Sequence, residues 1–442
     1  MKRTLFSLFL LVAALPVLAD APVVLSMKER ARVIDELLND KVQNILPALM
    51  RRNDIDMWLV ISREYNEDPI IKTLLPATWL AARRRTILVM YNPGDDKPIE
   101  TMAVARYAVG EQFQQAWDKE KQPDQWARLA EIVAERDPQR IGVNQSQHWG
   151  LADGIVATDL QLLRDSLPEK YRKRIVSAES LGVAWLETRT AREMQIYPHI
   201  VRIAHNIIAE GFSDRVIQVG VTTTDDVVWW FRERIRDLKL ATWFHPTVDI
   251  QRADAERFDH IAAFSKDKEN QVIQPGDLLH VDFGITYLRL NTDTQQHAYV
   301  LRPGESDAPD YLKKALAQGN RLQDIFTGNF RVGATGNEVL ARSRSEAIKE
   351  GIKPSIYTHP LGYHGHAAGT TLGMWDSQGG VPGSGDYPLH LNTAYSIELN
   401  AASFIEEWDK EIRIMLEEDA YFDEDGVRYL NGRQTELILI PN

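Results

Sequence analysis

Three carboxylates lie within or at the ends of apolar stretches that otherwise have the character of buried β-strands, and a fourth follows closely after one of them. Asp282 interrupts the run 278–283, and Asp293 follows eleven residues later, a spacing that lets two strands of a hairpin bring both side chains together. Glu398 and Glu417 each end a further apolar run. Burying an unpartnered carboxylate is costly, and facing carboxylates repel unless a positive charge lies between them. The pattern predicts a cation site built on strands; turn capping by each acid is the alternative.

The composition restricts the cation and the partners. The chain has 442 residues, enough for two or three domains, and 44% of them are apolar. It has no cysteine, so metal ligands must come from His, Asp, Glu, backbone or water. Such oxygen-rich sites suit hard cations, and we expect Mn²⁺, with Zn²⁺ and Co²⁺ as alternatives. The net charge of -12 argues against a nucleic-acid partner.

The first residues have the pattern of a secretory signal peptide. Lys2 and Arg3 precede an apolar run over 4–18, and Ala19 offers a small residue at the cleavage position. The run is short for a membrane span, which needs about 20 residues. We therefore expect residues 1–19 to be removed after Ala19 and the protein to be periplasmic or secreted, with no membrane partner. A buried N-terminal helix is the alternative.

Two domains are predicted for the remainder. Residues 20–186 mix helical apolar spacing over 34–49 with short strand candidates, which indicates an α/β domain. The strand candidates are 57–61, 86–91, 141–143 and 175–176. Residues 187–442 form the second domain. It begins with a capping box, Thr190 to Glu193, ahead of a long helix that Pro198 is expected to delay or bend.

The second domain contains a weak internal repeat. The segments 219–222 and 332–335 are similar, lie 113 residues apart, and each precede a predicted helix. They predict two strand-turn-helix units related by a pseudo-twofold.

Three of the eleven histidines lie within eight residues: His359, His364 and His366. Neutral imidazole is a good ligand for transition metals. Gly362 and Gly365 between them permit close backbone approach, which favours a built site over a surface cluster of histidines.

The order of these residues resembles the metal ligands of the pita-bread metallopeptidases, the family of methionine aminopeptidase, Xaa-Pro aminopeptidase and prolidase. Residues His359, Gly362 and His366 match the family's His-x-x-Gly-x-x-x-His pattern. The N-terminal α/β domain resembles the extra domain of the Xaa-Pro branch. The resemblance implies an α+β pita-bread catalytic domain with pseudo-twofold αβ repeats.

The resemblance also implies a role for each acid. Asp282 would bind one metal ion, and Asp293 would bridge two. His359 and Glu398 would bind the second ion. Glu398 would in addition carry the proton from the attacking water to the leaving nitrogen.

The last ligand and the specificity positions are less well matched. Glu417 would bridge both ions, and its neighbour Glu418 is the alternative. Xaa-Pro members often have a histidine where this chain has Ser355, and an arginine where it has Met415. Arg413 lies two residues before Met415, so it would point to the same face of the strand, and it is the candidate to replace the family's arginine. These departures leave the metal site intact but weaken the expectation of strict proline preference.

The resemblance implies histidines beside the substrate. His366 would stabilise the reacting carbonyl and its tetrahedral intermediate. His364 would contact the metal ligands without binding metal itself. The family's upstream histidine falls on Ser265, so His260 is the nearest candidate and His245 the alternative.

We therefore predict a dinuclear-metal exopeptidase that removes the N-terminal residue from short peptides, as an Xaa-Pro aminopeptidase or Xaa-Pro dipeptidase. Family members are often dimers, which suggests a homodimer by analogy. A silent binding or scaffold protein on the same fold, or a prolidase-like hydrolase of non-peptide esters, are the alternatives.

Overall fold

The computed structural model describes residues 23–94, 97–253 and 271–442. Two large β-sheets use separate stretches of the chain, and helices cover both. The predicted signal peptide, residues 1–19, lies outside the described residues, and the domain boundary at residue 187 stays a prediction. Within the described ranges, no helix is both long enough and apolar enough to cross a membrane.

The first sheet occupies the N-terminal part of the chain. Its strands are β1 Met57–Arg63, β2 Arg85–Tyr91, β3 Glu100–Val104, β4 Gln114–Gln115, β5 Ile141–Val143 and β6 Ile175–Ser177. They lie in the order β4-β3-β2-β1-β5-β6, with β1 antiparallel to β2 and parallel to β5. Strand β1 is buried along nearly its whole length, as expected of a central strand covered on both faces. The four predicted strands of this region are confirmed.

Helices pack around this sheet. They are α1 Met27–Asp40, α2 Leu46–Arg52, α3 Pro69–Leu74, α4 Gln125–Arg136, α5 Ala157–Ser166, α6 Glu169–Arg172 and α7 Glu179–Glu187. A π-helical segment, Lys41–Ile45, joins α1 to α2. The apolar spacing over 34–49 therefore does mark helix, with one wider turn in its middle.

Helix α8, Ala191–Gly211, begins the second part of the chain. The predicted capping box is confirmed. The Thr190 hydroxyl accepts a hydrogen bond from the Glu193 backbone N–H, and the Glu193 carboxylate accepts one from the Thr190 backbone N–H. The expectation that Pro198 would delay the start of the helix is wrong, because α8 begins seven residues before it and continues through it. The buried apolar face of α8 outweighs the hydrogen bond that proline removes.

The second sheet carries most of the remaining chain. Its strands are β7 Thr247–Gln251, β8 Leu278–Phe283, β11 Thr294–Val300, β12 Lys353–Ile356, β13 His359–Leu361, β14 Thr393–Ile405, β15 Lys410–Asp423, β16 Gly426–Tyr429 and β17 Ile438–Ile440. Its main order is β12-β14-β15-β11-β8-β7. A small separate hairpin, β9 Thr286–Tyr287 and β10 Leu290–Asn291, lies between β8 and β11 in the chain.

Two helix pairs pack on this sheet. Helices α8 and α9 (Thr224–Asp237) share one hydrophobic core with β7 and β8. Helices α10 (Asp310–Gly328) and α11 (Gly336–Lys349) share another with β14 and β15. This is the predicted pseudo-twofold αβ arrangement.

The internal repeat marks the starts of two of these helices. Gly220 and Gly333 have φ of +80° and +78°, and each is followed by a threonine N-cap, Thr223 for α9 and Thr335 for α11. The expected strand before each turn is wrong, since both segments are turns that lead directly into the cap.

Candidate metal centre

Strand register brings the predicted acids to one face of the second sheet. Glu398 on β14 lies directly opposite Glu417 on β15. Gln295 on β11 is the register partner of both Asp282 on β8 and Glu417 on β15. Asp293 lies immediately before β11, two residues from Gln295 and therefore on the same side of the strand. Four strands thus present one acidic cluster.

The strands extend further than the apolar runs indicated. Glu398 and Glu417 do not end their strands, as expected from the sequence, but lie in the middle of a 13-residue and a 14-residue strand. A mid-strand carboxylate has no turn to cap, so this placement removes the turn-capping alternative for both residues.

The ligand atoms of the five predicted residues converge in the folded chain. Three groups each contain one ligand atom per residue, all within 4.8 Å of one another. The groups are Asp282, Asp293 and Glu417; His359, Glu398 and Glu417; and Asp293, His359 and His366. Asp293, His359 and Glu417 are buried, whereas Asp282 and Glu398 are half-buried.

His359 is held with a free lone pair directed at the acids. Its Nδ1 lies 3.0 Å from the Pro360 carbonyl, which can only accept, so Nδ1 carries the proton and Nε2 the lone pair. Nε2 lies 3.6 Å from Asp293 Oδ2 and 4.0 Å from Glu417 Oε1. Among the described residues, this buried nitrogen has no hydrogen-bond partner. Burial lowers the pKa of His359 to about 3, which keeps the imidazole neutral. These properties fit a metal ligand.

The acids cannot all be ionised without a cation. Burial, together with the neighbouring carboxylates, raises the pKa of Asp293 and of Glu398 well above the usual range. Burial likewise raises the pKa of Glu417 to about 7. Divalent cations would offset both the desolvation and the mutual repulsion, so the donor set and its electrostatics fit a metal centre.

Glutamine 295 is a functional candidate that the sequence alone did not reveal. Its Nε2 donates to Glu398 Oε1 at 2.9 Å and to Glu417 Oε2 at 2.7 Å. Its Oε1 lies 2.9 Å from His280 Nε2, which fixes the orientation of the amide. Strand parity with Asp293 was the available signal, but it has meaning only once the register is known.

Further side chains orient the ligands from outside the cluster. The Ser396 hydroxyl donates a short hydrogen bond to Glu417 Oε1. Asp419, which is buried, accepts a hydrogen bond from the Asp293 backbone N–H at 3.1 Å.

Glu418 faces away from the cluster. Its Oε1 accepts from Gln296 Nε2 at 3.0 Å and from the Gln434 backbone N–H at 2.9 Å, and its Oε2 lies 2.8 Å from His205 Nε2. Adjacent residues of a strand point to opposite faces, so Glu417 rather than Glu418 joins the predicted ligands.

His366 lies at the entrance of the cluster. Its ring centroid is 4.6 Å from that of His359 and 5.0 Å from that of Trp243. Trp243 Nε1 donates to the Thr292 carbonyl at 3.0 Å, which fixes the indole. Gly365 must be glycine for this packing, because a Cβ there would lie 2.2 Å from the indole ring. His366 therefore has a defined position beside the acids.

An open cleft of about 480 Å³ leads to this entrance. Its walls include Trp243, Arg289, Tyr363, His364 and His366. Burial lowers the pKa of His364 to about 4, so this residue is a neutral wall of the cleft.

The upstream histidine is not assigned by the structure. His260 lies outside the described residues. His245 is exposed, packs at a tilt against Trp229 with 5.1 Å between ring centroids, and has its Nδ1 3.0 Å from Arg232 Nη1. In the described ranges, His245 is not part of any of the three ligand groups.

The specificity positions lie further along the same strands. Arg413 Nη1 donates to Asn400 Oδ1 at 3.2 Å, and the Met415 backbone N–H donates to His297 Nε2 at 3.0 Å. Ser355 is the register partner of Asn400. Arg413 is therefore directed at Asn400, two residues along β14 from Glu398.

Residues 199–428, more than half of the chain, match metallopeptidase family M24. This chain belongs to family M24. It is accordingly a hydrolase of a family that acts on peptides with divalent metals, and the predicted resemblance to the pita-bread metallopeptidases is confirmed. No curated protein sequence matches this M24 chain significantly.

Solved structures share the fold of this M24 chain. The X-Pro aminopeptidase from Thermotoga maritima MSB8 has a TM-score of 0.61 at 14% identity, covering 89% of this chain and 100% of that one. The Xaa-Pro dipeptidase from Bacillus anthracis has a TM-score of 0.55 at 16% identity, covering 94% of this chain and 100% of that one. The prolidase from Pyrococcus horikoshii OT3 has a TM-score of 0.53 at 12% identity, covering 92% of this chain and 99% of that one. At these identities the likeness establishes the fold, and the predicted pita-bread class is confirmed.

Proposed function

We propose that this M24 hydrolase is a dinuclear-metal exopeptidase that removes the N-terminal residue from short peptides, as an Xaa-Pro aminopeptidase or Xaa-Pro dipeptidase. The observation that carries the proposal is the buried lone pair of His359, which faces the carboxylates of Asp293 and Glu417. Two proteins of the same fold, the X-Pro aminopeptidase from Thermotoga maritima MSB8 and the Xaa-Pro dipeptidase from Bacillus anthracis, support the substrate class.

The proposed ligands divide into two overlapping sets. Asp282 would hold one ion, and His359 with Glu398 the other, while Asp293 and Glu417 would touch both. When bound, a pair of divalent ions supplies Lewis acidity at the scissile carbonyl and lowers the pKa of water at the site. Mn²⁺ is the ion we propose, because four of the five ligands are carboxylates.

The side chains around the cluster divide the remaining work. Glu398 is half-buried and lies beside His359 and Glu417, so it can take a proton from water and deliver it to the leaving nitrogen. His366 Nε2 or Nδ1, at the same entrance, can donate to the oxygen on which negative charge develops. Burial lowers the pKa of His366, so it acts as a neutral donor.

The substrate would enter through the cleft that Trp243 and His366 line. Its free amino terminus would meet the acidic cluster, which explains cleavage after the first residue. The fixed indole of Trp243 offers an apolar face on which the ring of a proline at the second position can pack.

Export completes the proposal. The positive start, the short apolar run and Ala19 support removal of residues 1–19 and a location in the periplasm or outside the cell. The N-terminal sequence of the purified mature protein would test this, and a chain that still begins at Met1 would contradict it.

Peptide digestion tests the function. The full chain is loaded with Mn²⁺, Zn²⁺ or Co²⁺ and incubated with Xaa-Pro dipeptides, longer Xaa-Pro peptides, and the same peptides with alanine at the second position. We expect release of the first residue, fastest with Mn²⁺ and with proline. A metal-loaded protein that cleaves none of these peptides would overturn the proposal.

A further inference from the structure

A second cavity lies between the N-terminal helices and the catalytic domain. It has a volume of about 50 Å³ and is separate from the acidic cluster, although two of its walls also border the substrate cleft. Its charged and aromatic walls are Lys41, Trp185, Arg189, Glu193, Arg289 and Tyr363. The rest of its lining is mainly leucine and isoleucine.

Lys41 is a buried cation without a counter-charge of its own. Only 7% of the residue is exposed, and it begins the π-helical segment between α1 and α2. Its Nζ lies 4.8 Å from the ring centroid of Trp185. Across the described part of the chain, this ammonium forms no hydrogen bond and no ion pair. Burial and the nearby Arg189 lower the pKa of Lys41 to about 7, and the opposing effect of Glu193 is too small to offset them.

The other charges around the cavity do not balance it. Arg189 donates to Glu193 Oε1 at 3.3 Å, so this carboxylate is already paired. Arg289 donates to the carbonyls of Leu75 and Pro76 at 2.6 and 3.1 Å, and these acceptors carry no net charge. Among the residues that line the cavity, three basic side chains therefore face one carboxylate.

A further carboxylate, Asp35, is close enough to Arg289 to offset part of the lowering of its pKa by burial, but Asp35 does not line the cavity. Asp35 accepts a hydrogen bond from the Ala77 backbone N–H at 2.7 Å and lines a different depression. An excess of positive charge held away from water is costly unless an anion accompanies it.

We infer that this cavity binds a small monovalent inorganic anion of halide size, held by Lys41 and Arg189. A water-sized guest needs roughly 10–15 Å³ by the same measure, so about 50 Å³ admits a halide with some water but not a large organic acid. The apolar remainder of the lining disfavours heavily hydrated multivalent anions. The anion would join α1 and the π-helical segment to the start of α8, and so fasten the N-terminal helices to the catalytic domain.

Bromide provides a direct probe of the site. Crystals of the full chain soaked in bromide are expected to show an anomalous peak between Lys41 and Arg189. In solution, the melting temperature in chloride is expected to exceed that in the bulkier isethionate, at equal ionic strength, by about 2 °C or more. This test does not depend on catalysis or on bound metal, so it stands or falls separately from the proposed peptidase activity.

Two lysine variants, one buried at the cavity and one exposed at the start of α1, complete the test. Lys41→Met is expected to lose the chloride-dependent part of the melting temperature, whatever happens to its absolute value. Lys28→Met, which removes an exposed lysine of α1, is expected to keep it. No bromide peak in the cavity, or an unchanged chloride effect in Lys41→Met, would overturn the inference.

Discussion

Glu398 and Glu417 are direct register partners on β14 and β15, and the side-chain amide of Gln295 donates to a carboxylate oxygen of each. The two acids are therefore held on one face, with one oxygen of each fixed, before any cation arrives. His280 orients the same amide from behind. Preorganisation of this kind is what outer partners of a metal site supply.

Gln295→Leu should weaken metal binding while leaving the ligands in place. The substitution removes both donors to Glu398 and Glu417, and loss of such an outer contact typically costs about 10–100-fold in affinity. Gln296→Leu is the matched control, since Gln296 lies on the other face of β11 and donates to Glu418. Metal titration of both variants checks this; equal affinities would contradict the positioning role.

Glu417→Gln and Glu418→Gln should separate metal binding from stability. We expect Glu417→Gln to lower the metal affinity by more than about 100-fold, the upper end of the loss seen when a residue that only contacts a ligand is changed, because Glu417 is itself a proposed bridging ligand. Glu418→Gln should bind metal normally but lose about 1–3 kcal/mol in the free energy of unfolding, because it replaces a buried carboxylate oxygen that lies 2.8 Å from His205 Nε2. Metal titration and denaturant unfolding measure the two effects. A normal metal affinity in Glu417→Gln would show that the register has been assigned wrongly.

Metal uptake should release more protons at about pH 6 than at about pH 8. In the metal-free protein the pKa of Glu417 is raised to about 7, so below that pH a metal ion must displace its proton. His359 adds nothing to the difference, since its pKa is lowered to about 3 and it is neutral at both values. Calorimetric titration in buffers of different ionisation enthalpy counts the protons. The same count at both pH values would contradict the raised pKa.

Gly365→Ala should impair catalysis through Trp243 and His366. The added Cβ would lie 2.2 Å from the indole, which must move and shift the histidine that packs on it. We expect a loss of about 1–3 kcal/mol in stability and a fall in kcat with metal content unchanged. Gly379→Ala is the control, because a Cβ at Gly379 meets nothing within 4 Å. A kcat equal to that of the control would refute the positioning of His366 by Trp243.

The sequence predicted the ligands better than their surroundings. Asp282 could be found because a carboxylate in an apolar strand needs a partner, Asp293 because it follows eleven residues later, and His359 because it belongs to a cluster of three histidines. Gln295 could not, since a glutamine in a strand has no such requirement until the register places it between two carboxylates. The lengths of β14 and β15 were also missed, because their polar residues outside the apolar runs still pair along the sheet.

Tertiary packing explains the other differences. Pro198 remains inside α8 because the helix buries a continuous apolar face against β8 and α9. The choice between Glu417 and Glu418 needed the facing strand, which shows that only Glu417 lies opposite Glu398. The cavity around Lys41 joins residues more than 300 positions apart, and no local pattern indicates it.

The central claim is that the five ligands hold two divalent ions, and anomalous diffraction from Mn²⁺-soaked crystals tests it most directly. We predict two peaks about 3.5–4 Å apart, between Asp293 and Glu417, and their loss in Asp293→Asn but not in Asp214→Asn, which changes an exposed acid. An absence of peaks in the wild-type cluster, or peaks that persist unchanged in Asp293→Asn, would contradict the account.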